Sequence, residues 1–270
     1  MSLFMDRALA RRVERCEGAI NASFVETHAR VAPDFGARWI EVAGAYAMYD
    51  GPESPMTQTF GLGVFDAVSA EDLSRIEAFY FERGSSVHHE LSPLAGVALV
   101  ATLVQRGYQP IEQSTVLVQA LADVTAPAVA SRARIAAPDE IEAWVACSIA
   151  GWAAESGMAA QMEPIARLAF MNPAMTSFCV ERDGALIATG SLGAHEGVAL
   201  LAGASTEPAH RGAGAQAALL AARLEVARAR GCDLALMCTE PGSTSQRNAE
   251  RNGFRVAYTR TKWRLDARRA

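Results

Sequence analysis

The spacing of apolar residues along this chain changes repeatedly between the period of a helix and that of a strand, which is typical of a mixed α/β protein. Helical spacing predicts helices over 3–30, 69–83, 94–105, 215–229 and 244–251. Runs rich in apolar and β-branched residues predict a strand or strand pair over 39–49 and strands over 59–65, 86–94, 111–118, 177–192, 198–206, 232–238 and 255–263.

Two short signals fix the ends of particular elements. Ser69 and Asp72 have the spacing of a capping box, which predicts the start of a helix at this point. Asp183-Gly184 divides 177–192 into two apolar runs, and this dipeptide is a strong hairpin signal.

The order of predicted elements is repeated within the chain. The interval between the helix-ending glycines Gly84 and Gly107 is 107 − 84 = 23 residues, and that between Gly231 and Gly253 is 253 − 231 = 22 residues. This repetition indicates an internal duplication. We therefore predict two domains, 1–124 and 132–270, joined by a linker of small and polar residues over 122–134.

The most informative stretch is VALLAGASTEPAHRGAGAQAALLAA, residues 198–222. It reads as a buried strand, a loop containing Gly212 and Gly214, and the start of an Ala/Leu-rich helix. The free N–H groups of a first helical turn, with the positive end of the helix dipole behind them, form an anion site. A pyrophosphate is the ligand expected for this spacing. The loop lacks the GK[ST] of a Walker loop and the GxGxxG of a dinucleotide fingerprint.

This loop resembles the pyrophosphate loop of the GCN5-related N-acetyltransferases (GNAT), whose pattern is roughly VxPxxRGxGxG. Pro208, Arg211, Gly212 and Gly214 match the pattern, and Thr206 stands in the position of its Val. A second departure places glutamine where the family prefers Gly or Ala. The resemblance implies acetyl-CoA as acyl donor, bound by residues of this loop: Thr206, Arg211, Gly212, Ala213, Gly214, Ala215 and Gln216.

The resemblance also implies the fold. Both halves resemble the family, the second more closely, so the expected architecture is an α/β (α+β) protein of two tandem acyl-CoA N-acyltransferase lobes. Each lobe would be a mixed, mostly antiparallel sheet flanked by helices. The first half has no such loop and places Asp66, Glu71 and Asp72 at the corresponding helix start. Because these carboxylates would repel a pyrophosphate, we predict one CoA site and a degenerate first lobe.

The resemblance to the family implies that an amine attacks the thioester directly. Its usual acid is a tyrosine in the last helix, and the aligned position here is Ala249. Our candidate catalytic residues are Glu207, beside the loop, as base, and Tyr258, on the last strand. Ser243 and Asn248 are further candidates for contact with CoA. Each of these four residues also has a structural alternative. Glu207 would then be a solvated carboxylate and Tyr258 a core aromatic, while Ser243 would be a helix cap and Asn248 a surface amide.

Composition narrows the class. Half of the residues are apolar, which is enough for real cores, and a net charge of −5 without a basic stripe argues against nucleic acid or an anionic membrane as partner. Five cysteines without a CxxC pair indicate reduced thiols in a cytoplasmic protein. His88, His89 and Glu90 are adjacent in a strand, where alternate side chains face apart, so we expect no metal.

The favoured function is an N-acetyltransferase, an enzyme that transfers acetyl from acetyl-CoA to a small-molecule amine in the C-terminal lobe. The alternative is a non-catalytic acyl-CoA-binding or sensing protein, which the alanine at position 249 would permit. The sequence leaves the acceptor unidentified, and this interpretation is compatible with either a monomer or a homodimer.

Overall fold

The computed structural model describes residues 4–124, 133–156 and 159–267. The described helices are α1 (Arg7–Val31), α2 (Ala70–Phe81), α3 (Val97–Gln105), α4 (Ile141–Ser156), α5 (Ala159–Met171), α6 (Ala215–Ala229) and α7 (Thr244–Arg251). The described strands are β1 (Arg38–Val42), β2 (Ala45–Tyr49), β3 (Thr59–Phe60), β4 (Val87–Leu91), β5 (Gln109–Ala120), β6 (Ala133–Ile135), β7 (Met175–Arg182), β8 (Ala185–His195), β9 (Val198–Thr206), β10 (Leu234–Thr239) and β11 (Arg255–Leu265).

The chain divides into two compact units. Unit 1 comprises Met1–Val118 with Cys238–Ala270, and unit 2 comprises Gln119–Met237. The carboxy-terminal segment therefore packs with the first part of the chain. The two units are defined by contacts between residues, whereas the predicted domains 1–124 and 132–270 are defined by an internal duplication. The units therefore do not test the domains, which stay a prediction. Most of the predicted linker lies outside the described residues.

Unit 1 is built on a mixed sheet with the strand order β1-β2-β3-β4-β11-β5. All neighbouring strands are antiparallel except β3 and β4, which are parallel. Helix α2 supplies the apolar side chains of Leu73, Ile76, Phe79 and Tyr80 to the core, as its spacing predicts. The capping box between Ser69 and Asp72 is present, which confirms that prediction.

Unit 2 has the strand order β10-β9-β8-β7-β6, again antiparallel except for one pair, β9 and β10. The hairpin predicted at Asp183-Gly184 joins β7 to β8, and both residues have positive φ, 53° and 80°. Trp144 of α4 is buried and its Nε1 donates to the carbonyl oxygen of Phe178 at 2.9 Å. The mixed, mostly antiparallel sheets flanked by helices confirm the predicted fold class.

Two elements differ from the sequence prediction. The strand predicted over 59–65 ends at Phe60, because Gly61 and Gly63 adopt positive φ and turn the chain. Helix α5 was not predicted, and Pro164 in its interior weakens the helical signal.

Candidate functional site

The predicted loop joins β9 to α6 with the geometry of an anion site. Gly212 and Gly214 have φ of 77° and 82°, the left-handed region that favours glycine. A Cβ at either position would meet nothing within 4 Å, so the space beside this backbone is open. Helix α6 has no side-chain cap and no acidic residue in its first turn. Its first N–H groups are thus left for an external anion.

Arg211 ties the loop to the two elements beside it. Its Nη2 donates to the carbonyl oxygen of Gly151 in α4 at 3.0 Å, and its Nε donates to that of Thr206 at 3.3 Å. The guanidinium therefore contributes to the position of the loop. The role of Arg211 as a direct CoA ligand stays a prediction, as do those of Gly212, Ala213, Gly214 and Ala215.

The two residues that depart from the family pattern contact each other. Gln216 donates its Nε2–H to Thr206 Oγ1 at 2.8 Å, and Thr206 is buried. The hydroxyl and the amide thus form a bridge from the end of β9 to the first turn of α6. A valine at 206 and a glycine at 216 would lack this bond, so the two departures form one structural unit.

The sheet of unit 2 opens next to this loop. Strands β9 and β10 pair over three residues each, 198–200 and 234–236. Farther along, β9 bulges, since Thr189 faces Ser205 whereas Ser191 faces Ala202. A bulge leaves main-chain groups outside the ladder. The described pairing thus provides both an open strand edge and an irregular backbone just before Thr206.

Glu207 follows β9 directly, and its N–H extends the ladder by donating to the carbonyl oxygen of Ile187 at 3.0 Å. Its side chain is 32% exposed, and its Oε2 lies 3.3 Å from His210 Nδ1. Burial and the Glu207 carboxylate together raise the pKa of the Cys147 thiol to about 12. Cys147 therefore stays protonated, while Glu207 presents a half-exposed carboxylate beside the loop. Its role as base stays a prediction.

The candidates beyond Met237 lie in unit 1. Ser243 caps α7, since its side chain accepts from the N–H of Gln246 at 3.1 Å, as the structural alternative expects. Asn248 is exposed on α7, and its main-chain carbonyl oxygen accepts from Asn252 Nδ2 at 2.7 Å. Ala249, which aligns with the family's tyrosine, is 3% exposed. Contact of Ser243 or Asn248 with CoA stays a prediction.

Tyr258 belongs to a buried polar cluster of unit 1. Its hydroxyl donates to Glu14 Oε1 at 2.7 Å, and the same oxygen accepts from Arg260 Nε at 3.0 Å. Arg260 also pairs with Glu17 at 2.7 Å. Burial raises the pKa of Glu14 despite the opposing charge of Arg260, and burial together with Glu14 raises that of Tyr258. The phenol thus keeps its proton, and its catalytic role stays a prediction.

The corresponding helix start of unit 1 is closed to an anion. Ser69 and Asp72 cap α2 reciprocally, with bonds of 2.9 and 3.1 Å. The Ser69 hydroxyl and main-chain N–H both donate to the Asp72 carboxylate and lower its pKa, which keeps a negative charge in the first turn. Before the helix, Phe65 packs against Gly44 and Gly61 and fills the space beside their backbone. This contrast with α6 supports the prediction of a single CoA site.

Two residues beside the loop in unit 2 were given no role by sequence reasoning: Gly151 was not singled out, and His210 was interpreted as a surface or packing residue rather than a base. Gly151 lies where α4 touches the end of β9, and a glycine inside a helical pattern is only a weak sign of close approach. His210 forms an i,i+3 pair with Glu207, which the one-turn loop over 208–210 brings together.

The chain was compared with protein-family models and with solved structures. Residues 141–254 match the model of the acetyltransferase (GNAT) family. A solved GCN5-related N-acetyltransferase from Kribbella flavida is 21% identical, with a TM-score of 0.65 over 92% of this chain and 94% of that one. A tandem GNAT protein from the clavulanic acid biosynthesis pathway, solved without AcCoA, is 14% identical, with a TM-score of 0.57 over 83% of this chain and 74% of that one. At these identities the likeness shows the fold.

No curated protein matches the sequence significantly. None of the helices in the described part of the chain has the length and apolar character needed to span a bilayer.

Proposed function

Because residues 141–254 belong to the acetyltransferase (GNAT) family, we propose that this protein transfers an acetyl group from acetyl-CoA to the amine of a small molecule. The observation that carries the proposal is the loop between β9 and α6. It combines two glycines in the left-handed region, open space beside them and an uncapped helix start. That combination suits the pyrophosphate of CoA.

The proposed reaction is direct. The amine attacks the thioester carbonyl, a tetrahedral oxyanion forms, and its collapse breaks the C–S bond and gives the amide and free CoA. Main-chain N–H groups at the opened edge of β9 would stabilise the oxyanion. Glu207 would accept the proton lost by the amine, directly or through water, since its half-exposed carboxylate lies at the end of that strand. The departing thiolate takes a proton from solvent or from a residue of the site.

One observation favours a second function, an acyl-CoA-binding or sensing protein. The family's tyrosine is replaced by Ala249, which is buried and carries no acidic group. Binding would then persist while turnover is lost. Free-thiol release from acetyl-CoA in the presence of an amine panel separates the two functions, because a sensor binds acetyl-CoA without releasing thiol.

The first test is calorimetric titration of the protein with acetyl-CoA. We expect one site per chain, and a Gly214→Glu variant should weaken binding by at least about 100-fold, since it adds bulk and negative charge at the helix start. Gly184→Glu is the matched control. Gly184 has φ of 80°, a Cβ there meets nothing within 4 Å, and it lies in the hairpin turn of the same unit.

The control variant carries the same charge change and the same backbone strain, so it should bind acetyl-CoA as the wild type does. Equal binding by the wild type and Gly214→Glu would contradict the assignment of the loop. Two equal sites per chain would contradict the prediction that unit 1 is degenerate.

A further inference from the structure

Arg223 occupies an unusual place in unit 2. It lies on the core face of α6, whose other buried residues are alanines and leucines: Ala215, Ala218, Leu219, Leu220, Leu224 and Ala227. The arginine is itself only 3% exposed. A charged group on this face is unexpected, because a helix of this kind buries apolar side chains against its sheet.

The guanidinium has no counter-charge among the described residues of its unit. Its Nε donates to the carbonyl oxygen of Leu219 at 3.1 Å, and its Nη1 to that of Ser191 at 3.4 Å. Both acceptors are neutral main-chain groups, and burial lowers the pKa of Arg223 to about 10. Burying a charge without a partner is unfavourable, and a methionine would fill the same volume without that penalty. Packing alone therefore does not explain the arginine.

The position of the guanidinium offers an explanation. A Cβ at Gly190 would lie 3.2 Å from Arg223 Nη1 and 3.5 Å from the Cα of Ala204. Gly190 is the residue of β8 that faces the bulge, because Gly203 and Ala204 both fall between the pairs 189–205 and 191–202. Gly203 has φ of 62°. The buried positive charge thus lies directly against the irregular backbone of the strand that leads to the loop.

We propose that Arg223 is a positioning residue for acyl transfer, which holds the β9 bulge and adds positive potential where the thioester oxyanion forms. This inference rests on the proposed function. A fixed cation behind the bulge acts in a poorly solvated region, where its field is weakly screened. It stabilises the transition state, which bears the negative charge, more than bound acetyl-CoA, which does not yet bear it.

The test compares Arg223→Met, Arg223→Lys and wild type in steady-state acetyl transfer and in acetyl-CoA titration. We expect Arg223→Met to lower kcat by about 10- to 50-fold while the Kd for acetyl-CoA changes by less than about 2-fold. Arg223→Lys keeps the charge and should retain kcat within about 5-fold of the wild type. Thermal unfolding of each variant verifies that the protein is folded at the assay temperature.

Gly190→Ala provides a second route if Arg223→Met does not fold. It keeps the arginine but pushes the guanidinium away from the bulge, so kcat should again fall with little change in Kd. A folded Arg223→Met or Gly190→Ala enzyme with wild-type kcat would overturn the role of Arg223 and leave the proposed function intact. Binding without turnover in the wild type would overturn both.

Discussion

Gly151 is the residue at which a single methyl group should affect both stability and ligand binding. It lies in α4, and a Cβ built there would be 2.6 Å from the Cβ of Ser205 and 3.0 Å from the main-chain N of Thr206. A main-chain atom and a Cβ cannot rotate aside, so Gly151→Ala must push α4 away from the end of β9 by roughly 1 Å.

The expected magnitude follows from two opposing effects. Overpacking of this kind destabilises the folded protein by about 1–3 kcal/mol. The higher helix propensity of alanine offsets up to about 1 kcal/mol of that loss. The displacement also stretches the 3.0 Å bond from Arg211 Nη2 to the Gly151 carbonyl oxygen. Loss of one such bond corresponds to about 1 kcal/mol, or roughly a 5-fold weaker Kd for acetyl-CoA.

The assay pairs urea unfolding with calorimetric titration. Gly18→Ala in α1 is the control, because a Cβ there would lie 2.5 Å from Cδ2 of Tyr46 and overpacks a helix of unit 1. We expect it to lose stability with acetyl-CoA affinity within about 2-fold of the wild type. If Gly151→Ala is destabilised but binds acetyl-CoA as tightly as the wild type, then Arg211 does not hold the loop in its binding conformation.

Two further predictions concern hydrogen bonding and pH. The first is a double-mutant cycle of Thr206→Val, Gln216→Ala and the double variant, measured by the free energy of unfolding. The sum of the two single losses should exceed the loss in the double variant by about 1 kcal/mol, because each single change leaves one polar group of the 2.8 Å bond unpaired. Additive losses would refute the bridge. His89 is buried, and burial lowers its pKa from 6.5 to about 3. Below pH 6.5 the unfolded chain therefore takes up a proton that the folded chain excludes. The free energy of unfolding should decrease by about 1.4 kcal/mol for each unit by which the pH is lowered, so the loss from this residue reaches ~2 kcal/mol at pH 5. His89→Gln should remove this part of the slope in urea unfolding between pH 5 and 7, and an unchanged slope would contradict the burial argument.

The loop could be predicted from sequence because its chemistry lies in the main chain. Gly212 and Gly214 report backbone conformation directly, and the apolar run before them and the Ala/Leu-rich run after them fix the strand and the helix. Helix α6 begins and ends where its periodicity predicts. The bridge between Thr206 and Gln216 was not predicted, because a family pattern records which residues are usual but not how two unusual residues meet.

Arg223 shows a second limit of sequence reasoning. In the sequence it is one of two arginines in the helix 215–229, with Arg230 just beyond the helix, and such a pattern is typical of a solvated face. Its burial follows from the absence of a side chain at Gly190, 33 residues earlier by 223 − 190, which leaves room for the guanidinium. A vacancy made by a distant glycine is a property of the packed sheet, so local spacing does not reveal it.

Side chains that would act as acid and base are harder to predict from sequence than the loop, and the buried cluster around Tyr258 shows why. The hydroxyl of Tyr258 meets Glu14 across 244 residues of sequence, and burial in this cluster raises the pKa values of both groups. A side chain is a better acid or base when its pKa lies near the working pH, and burial and neighbouring charges influence that pKa. Those neighbours come from distant segments, whereas the amides of an anion loop come from consecutive residues. The same sequence therefore predicts the geometry of the loop far better than it predicts which side chains would move protons.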